Sequence, residues 1–572
     1  MKYSLVILFG LVAAIRPAPA EAQVQTATYH SYDQMTAVLK DLAAKHKDCM
    51  RLRSLAKTSG GREVWLAAFR KGAPEQARAF LFVGGTESAQ VAGSELALRY
   101  CTRLATGYAK ADSITQLLAT TTIYVIPRAN PDATEAFFQS PRSERTTNLT
   151  PADDDRDGAV DEDDVEDLDG DGIIRMMRVR DPRGEWLPSA ADGRFMKKAD
   201  PAKGERGEYL LYTEGVDNDK DEQWNEDPVG GVDFNRNFPF GYEFFGRGTG
   251  TYPLSERESR AVAEFVFSAP NIAAAFSFSS SDNLLVPWKA EPKKTGLDTQ
   301  PRVMTSIADE DQPYFEYASK MFRETTGFAD APGPRKSPGG FTEWVYYHTG
   351  RWSFSVRPWW WPKGKTTRAD SPGVETQARP RSSGGAQGEL PDEEEYAARA
   401  LKANDSIGII TSGWKRVSHP DFTDREVEVG GPLPSINWNP PADSLDVLAE
   451  RYAGFFTSLA QLLPTVVVRN IKTEKLSDRL FRVTADIANT GRLPTCSAMG
   501  RRVEWPRNVH VSLGFAAGEQ LQGGKQRQVL DPIRGNGYLT LTWLVVGRSG
   551  SVITLTADSP MAGRDIARIT LQ

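Results

Sequence analysis

The chain has 572 residues, of which 40% are apolar and 25% charged, and its formal net charge is −6. That length and mix imply two or three globular units with ample core material, and exclude a disordered tail protein, a collagen-like repeat and a polytopic membrane protein. The charge is unevenly placed: twelve acidic residues and one arginine lie between Asp153 and Asp171, and seven acidic residues and one lysine between Glu214 and Asp227. The compensating positive excess is spread without a basic run, which argues against nucleic acid and leaves the two acidic blocks as candidate cation sites.

Lys2 precedes an apolar stretch from Tyr3 to Ile15, and Ala20-Glu21-Ala22 places small residues at a cleavage spacing. Residues 1–22 therefore read as a secretory signal peptide, and the protein is expected to be secreted, periplasmic or extracellular. No later apolar run approaches the roughly 20 residues that span a bilayer. Three cysteines (Cys49, Cys101, Cys496) are too few for a disulfide framework; a Cys49–Cys101 bond and buried free thiols both remain open.

In chain order, Tyr32–Ala44 has the apolar spacing of an amphipathic helix, and Arg51–Ala56 and Glu63–Arg70 read as a hairpin. Ala79–Gly84 and Thr121–Ile126 are continuous apolar runs, as expected of strands covered on both faces. Helices are expected over Ser94–Ala105, Leu254–Phe267 and Pro313–Thr325, and strands over Ile272–Ser279 and Trp352–Val356. The fold class is therefore α/β, with a mixed, mostly parallel central sheet flanked by helices across residues 23–464. Residues 362–395 are rich in Pro, Gly, Ser and charge and read as a flexible loop. Helices are expected to follow over about 396–412 and 442–463. Beyond Pro464 short alternating segments predict an all-β sandwich over residues 465–572.

Several segments together resemble the M14 family of zinc carboxypeptidases. GGTESAQVAGSELALRY is similar to the strand-loop-helix that carries the family's first two zinc ligands, and IPRANPDATEAFF to its NPDG segment. GVDFNRNFPFGY resembles its Asn-Arg pair, FSFSSSDNLLVPW the strand bearing the third ligand, and GGFTEWVYYHTGRWSFSVRP the strand bearing the catalytic glutamate. The resemblance spans about residues 27–465 and implies a metallocarboxypeptidase fold and zinc as the family cofactor. It also implies that Asn235 and Arg236 hold a C-terminal carboxylate and that Arg145, with Arg142 as competitor, takes the place of the oxyanion-stabilising arginine.

The matched chemistry differs. The H-x-x-E positions hold Glu87 and Gln90, the third ligand position is Ser279, and the general-base position is Arg357. A loose loop match puts Arg335 at the position of the family's tyrosine. None of the five histidines begins an H-x-x-E or has another histidine three to five residues away. Three oxygen donors with one charge suit zinc poorly, and a guanidinium cannot deprotonate water. Arg357 is expected to reach into the old metal position and pair with Glu87. A serine-hydrolase alternative has Ser279-Ser280-Ser281-Asp282 at a strand end and His348 nearby, without a G-x-S-x-G elbow.

The acidic insert, about residues 150–230, repeats alternating carboxylates around glycines. The runs are Asp153, Asp155, Asp157 and Asp161; Asp167, Asp169 and Asp171; and Asp217, Asp219 and Asp221. That is the first half of an EF-hand-like loop, so structural calcium is expected. Trp359-Trp360-Trp361 is either a stacking platform or core material. The resulting expectation is a pseudoenzyme that binds peptide or cell-wall C-termini. The alternatives are an active metallocarboxypeptidase with non-standard ligands and a calcium-dependent surface adhesion or scaffold protein.

Overall fold

The computed structural model describes residues 29–153, 158–190, 192–220, 222, 224–225, 227–291, 304–329, 332–361, 411–436, 438–516 and 518–572. The expected 1–22 signal segment, the expected 362–395 loop and all but the last two residues of the expected 396–412 helix lie outside them. Helix α1 (Tyr32–Lys45) opens with a capping box in which the Ser31 and Gln34 side chains each accept from the other's backbone N–H. The hairpin β1 (Met50–Lys57) and β2 (Glu63–Phe69) follows, then β3 (Ala79–Val83), α2 (Val91–Gly107), α3 (Asp112–Thr120), β4 (Thr122–Ile126) and the short α4 (Pro131–Glu135). The acidic insert contributes β5 (Met176–Arg180), β6 (Trp186–Pro188), β7 (Met196–Lys198) and β8 (Tyr209–Thr213). After it come α5 (Arg257–Ser268), β9 (Ile272–Phe278), α6 (Gln312–Thr326), α7 (Phe341–Thr349), β10 (Trp352–Val356), β11 (Thr411–Val417), β12 (Val427–Pro432) and α8 (Leu445–Gln461).

The central sheet runs β1-β2-β4-β3-β9-β10; β1, β2 and β4 pair antiparallel, while β4, β3, β9 and β10 run parallel. Every residue of β3, β4, β9 and β10 is buried, because helices cover both faces. One face packs on α2, α6 and α8 and the other on α5 and α7. Phe82 centres the larger core: its ring stacks on Phe276 at 4.9 Å and meets Phe456 edge-on at 4.2 Å.

The insert is more than a set of acidic loops. Its strands join β11 and β12 in a second, antiparallel sheet ordered β11-β12-β5-β8-β6-β7, with Val179 opposite Val427. Thr411 and Ser412, expected at the end of a helix, begin β11 instead.

Past α8 the chain forms β13 (Val466–Lys475), β14 (Leu480–Asn489), α9 (Ala498–Val503), β15 (His510–Gly514), β16 (Gln520–Gly523), β17 (Arg527–Val529), β18 (Tyr538–Val546), β19 (Val552–Ser559) and β20 (Gly563–Thr570). Two four-stranded sheets, β13-β14-β18-β16 and β17-β15-β19-β20, share one apolar core. Asp311 ties this unit to the first: its carboxylate accepts from the Ala498 and Met499 amides at 2.8 and 3.1 Å and from the Tyr346 hydroxyl at 2.8 Å. All three cysteines are buried free thiols, so Cys49 and Cys101 are not bonded. Trp360 and Trp361 are buried, which favours the core reading of the tryptophan triplet. Among the described residues no helix is long and apolar enough to cross a membrane.

Truncating Phe82 leaves a cavity among rings that belong to β9, α2 and α8. Phe82→Ala is expected to cost about 3–5 kcal/mol, read as a lower urea midpoint with an unchanged m-value.

Candidate functional site

The site lies where open α/β sheets place their ligands, beyond the carboxyl ends of the parallel strands. The loop after β3 carries Glu87 and Gln90, the end of β9 leads into Ser279–Asp282, and β10 ends at Arg357. Gly84 lets the first loop leave the sheet tightly: a Cβ there would lie 2.5 Å from the Pro127 carbonyl. The short turn Phe234–Arg236, capped by Asp233, brings in Asn235 and Arg236. Gly339, at φ +76, locks that turn to the 335–340 loop; a Cβ there would sit 2.3 Å from the Arg236 carbonyl.

These segments meet on one carboxylate. Glu87 Oε1 accepts from Ser279 Oγ at 2.5 Å, the Ser280 amide at 2.7 Å, Ser280 Oγ at 2.9 Å and Asn235 Nδ2 at 3.2 Å. Its Oε2 accepts from Gln90 Nε2 at 2.5 Å. Asn235 is fixed in turn, because its Oδ1 accepts from the Phe341 amide at 2.9 Å and its Nδ2 also reaches Ser337. Three expected ligand positions, Glu87, Gln90 and Ser279, are thus brought together with Asn235. The serines act as donors to Glu87, and the Ser279 hydroxyl proton points to that carboxylate rather than to a histidine base.

The expected Arg357–Glu87 ion pair is not formed. Arg357 is buried, donates from Nη2 to the Gly333 carbonyl at 3.2 Å and lies 5.5 Å from the Trp438 ring centroid. Arg335 also packs on Trp438, at 4.4 Å. The physical reason is that neutral donors already satisfy Glu87, while the indole offers a flat, polarisable face to guanidinium groups.

A cleft of about 440 Å³ opens over this network. Its floor includes Glu87, Gln90 and Asp233; Arg236, Arg335 and Lys336 supply cations; Glu144, Thr146 and Trp438 form one wall. Arg236 Nη2 pairs with Glu243 at 2.8 Å, and its Nε has no hydrogen-bond partner among the described residues. Glu144 accepts from the Ser435 amide at 2.6 Å and from Trp438 Nε1 at 3.2 Å. Arg145 turns toward the insert, where its Nη2 stands 4.0 Å from Asp164, and Arg142 is buried against Phe137 at 3.7 Å. Asp233, Glu343 and Trp438 were not singled out by sequence. Asp233 sits two residues before Asn235 within the Asn-Arg segment and Glu343 follows the Gly-Gly pair, whereas nothing in the local pattern marks Trp438.

Family-type zinc does not fit these donors. Oε1 of Glu87 takes four donors, where an oxygen has about two lone pairs, and Gln90 Nε2 and Ser279 Oγ present protons to the carboxylate. Among the described residues, the grouping of His, Cys, Asp and Glu that could hold a metal is Asp167, Asp169 and Glu214, away from the cleft.

In the insert, Asp167 accepts from the amides of Gly170, Asp171 and Gly172, and Glu214 from those of Leu168, Asp169 and Arg175. Burial pushes Glu214 up to about 7, with Asp169 adding to the rise. Asp153 accepts from the Gly158 amide and Asp161 from the Ala152 and Gly230 amides, Asp217 caps the turn before Lys220, and Asp171 pairs with Arg175 at 3.2 Å. Asp219 lies in the turn that Asp217 caps, and Asp155, Asp157 and Asp221 lie outside the described residues.

Burial raises two acids beside Glu87. Asp233 is pushed up to about 7, as is Glu343, whose Oε1 accepts from Ser281 Oγ; the Glu87 charge adds to both. Near pH 5 to 7 folded Glu343 keeps a proton that the unfolded chain has released. Its stabilising contribution is therefore full below about pH 4.5 and is lost as pH rises through about 7. Glu343→Gln is expected to flatten that window and to gain roughly 3 kcal/mol over wild type at pH 8 relative to pH 4, measured by urea unfolding across pH 4–8.

The zinc carboxypeptidase model of the peptidase M14 family matches residues 35–169 and 192–359, more than half of the chain, and a model described as a domain of unknown function matches residues 465–570. Mouse carboxypeptidase M is 32% identical over 115 residues, 19% of this chain and 25% of that protein. The zinc carboxypeptidase of Saccharothrix mutabilis subsp. capreolus is 27% identical over 129 residues, 21% of this chain and 30% of that protein. The matches thus span about a quarter to a third of these relatives' length. Among solved structures, bovine thrombin-activatable fibrinolysis inhibitor, in complex with tick carboxypeptidase inhibitor, aligns with a TM-score of 0.37 and 15% identity over 57% of this chain and 85% of that one. Carboxypeptidase A from Helicoverpa armigera aligns with a TM-score of 0.37 and 12% identity over 68% and 78%. On the extent of the family match, the chain belongs to the peptidase M14 zinc carboxypeptidase family.

Proposed function

We propose that this chain is a secreted M14 pseudoenzyme that binds the carboxylate end of peptides or cell-wall stems without hydrolysing them. One observation carries the reading: the side chain at the first ligand position, Glu87, spends its charge on hydrogen-bond donors from Ser279, Ser280, Asn235 and Gln90, all of them neutral. No step through a metal is available to such a site, and Arg357 cannot serve as a base. What remains is recognition. Arg236 is the anchor for the ligand carboxylate, because a guanidinium fork meets a carboxylate with two parallel bonds; Arg335 and Lys336 add positive charge along the same cleft. Asn235 braces the floor, and Arg145 fastens the adjoining wall to the insert through Asp164. Secretion follows from the leader-like residues 1–22.

The test is calorimetry on the full chain with N-acetyl-Ala-Ala and its C-terminal amide. The free acid is expected to bind and the amide to bind at least about 10-fold more weakly, with Arg236→Gln losing about 10- to 100-fold for the acid. No alanine should be released, with or without added zinc. Release that a chelator abolishes would establish the active-enzyme reading instead. Deleting residues 465–572 separates the scaffold alternative, since peptide binding survives the deletion if the cleft is the functional surface.

Calcium is the second part of the proposal. Asp167, Asp169 and Glu214 each offer an oxygen within 4.8 Å of the others, and hard oxygen ligands suit calcium. Calcium at 1 mM is expected to raise the melting temperature by a few degrees, and Asp167→Asn with Asp169→Asn to remove the effect. A melting curve indifferent to calcium and to chelator would show that these loops are ordered by their own hydrogen bonds.

A further inference from the structure

A second chamber, of about 400 Å³, adjoins the cleft through Glu144, Thr146 and Trp438, which line both. Its walls are mixed: Glu144, Thr146 and Thr213 supply polar groups, while the apolar Ile174 and Met176 come from the insert and Leu433 and Ile436 follow β12. Set among them is Arg175, which is 4% exposed. Its Nε donates to Asp171 at 3.2 Å, and its Nη1 has no hydrogen-bond partner among the described residues. Arg142, 2% exposed, is stitched to the same strand of chain, its N–H donating to the Gly172 carbonyl and its carbonyl accepting from Ile174. Burial brings the Arg142 guanidinium down to about 10, and the like charge of Arg175 adds to the fall.

A buried guanidinium N–H without an acceptor is unfavourable, and among the described residues the Arg175 side chain pairs only with the partly exposed Asp171. The apolar part of the wall, Ile174, Met176, Leu433 and Ile436, can receive the body of the ligand, and the guanidinium its head. We propose that this chamber is a binding site for a carboxylate borne on an apolar chain, held by Arg175. For a free acid the inference does not depend on the reading of the cleft; for a side chain of a longer ligand it rests on that reading. The carboxylate has two conceivable sources, a free amphipathic acid or an acidic side chain upstream in a ligand that also fills the cleft, and the shared wall makes the second geometrically accessible.

The experiment uses the full chain and two probes. The first is 8-bromooctanoate, followed by calorimetry and by soaking crystals, with octanamide as the uncharged control. The second is the peptide pair Glu-Leu-Ala-Ala and Gln-Leu-Ala-Ala. A bromine anomalous peak in the chamber, with binding weakened at least about 10-fold by Arg175→Gln and untouched by Arg236→Gln, establishes the site for a free acid. A preference for the Glu peptide that Arg175→Gln abolishes, with bromooctanoate silent, assigns the carboxylate to a side chain of an extended ligand. The bromine position is read on the wild-type protein, so it stands even where the variant folds poorly. Absence of both effects, or binding of either probe that Arg175→Gln leaves unchanged in a folded protein, overturns the proposal while leaving the Arg236 result intact.

Discussion

The Glu87 carboxylate is the knot on which the site depends. It joins the loop after β3, the end of β9 and the Asn235 turn, three segments that lie far apart in sequence, and the bonds from Thr86 Oγ1 to the Phe278 carbonyl and from Asn235 Nδ2 to Ser279 Oγ reinforce the junction. In a metallopeptidase a dication would draw such segments together and compensate the buried negative charge. Here hydroxyl, amide and side-chain amide donors do both tasks. Hydrogen bonds to an ionised acceptor are roughly twice as strong as neutral ones, so a cage of them can offset the several kcal/mol that burying a lone carboxylate costs. The cage also explains why Arg357 is not needed as a counter-ion and is instead engaged with Gly333 and Trp438.

Much of the fold is legible in the sequence because the central strands announce themselves. Ala79–Val83 and Thr122–Ile126 are unbroken apolar runs, and a strand covered on both faces can be little else. The insert sheet is not legible for the opposite reason. Met176–Arg180 alternates apolar and arginine side chains, and its partner Val427–Pro432 lies about 250 residues away, so neither segment carries a signal until the two pair. In the site, the positions of Glu87, Gln90, Asn235 and Ser279 could be found from their flanking motifs. The Ser280 amide and hydroxyl could not, since a serine that donates looks the same in sequence as a serine that faces solvent. Trp438 and Glu144 were missed because a wall assembled from distant loops leaves no local pattern.

The charge layout of the cleft follows from that cage. Acidic groups lie low, with Glu87, Asp233 and Glu343 close enough that burial and the Glu87 charge hold the other two up near 7. Cations stand around them on Arg236, Arg335 and Lys336. Arg236 pairs with the exposed Glu243 and Arg335 packs on the Trp438 indole, while Glu343 accepts from Ser281 and Asp233 from the Asn235 amide.

Trp438 links this layout to the insert. Its indole N–H donates to Glu144, its ring receives Arg335 and Arg357, and it lines both chambers. Glu144 is tied in turn to the Ser435 amide, just past β12, and β12 is a strand of the insert sheet. The wall of the cleft therefore belongs mechanically to the second sheet, and whatever orders the loop around Asp167, Asp169 and Glu214 also orders Arg175 and, through β5 and β12, the tryptophan. Removing the indole would leave two guanidinium groups without their common face and Glu144 with the Ser435 amide but without its indole donor. The two chambers should consequently respond together to changes in the insert, even though the groups that would bind a ligand in each, Arg236 and Arg175, come from separate segments of the chain.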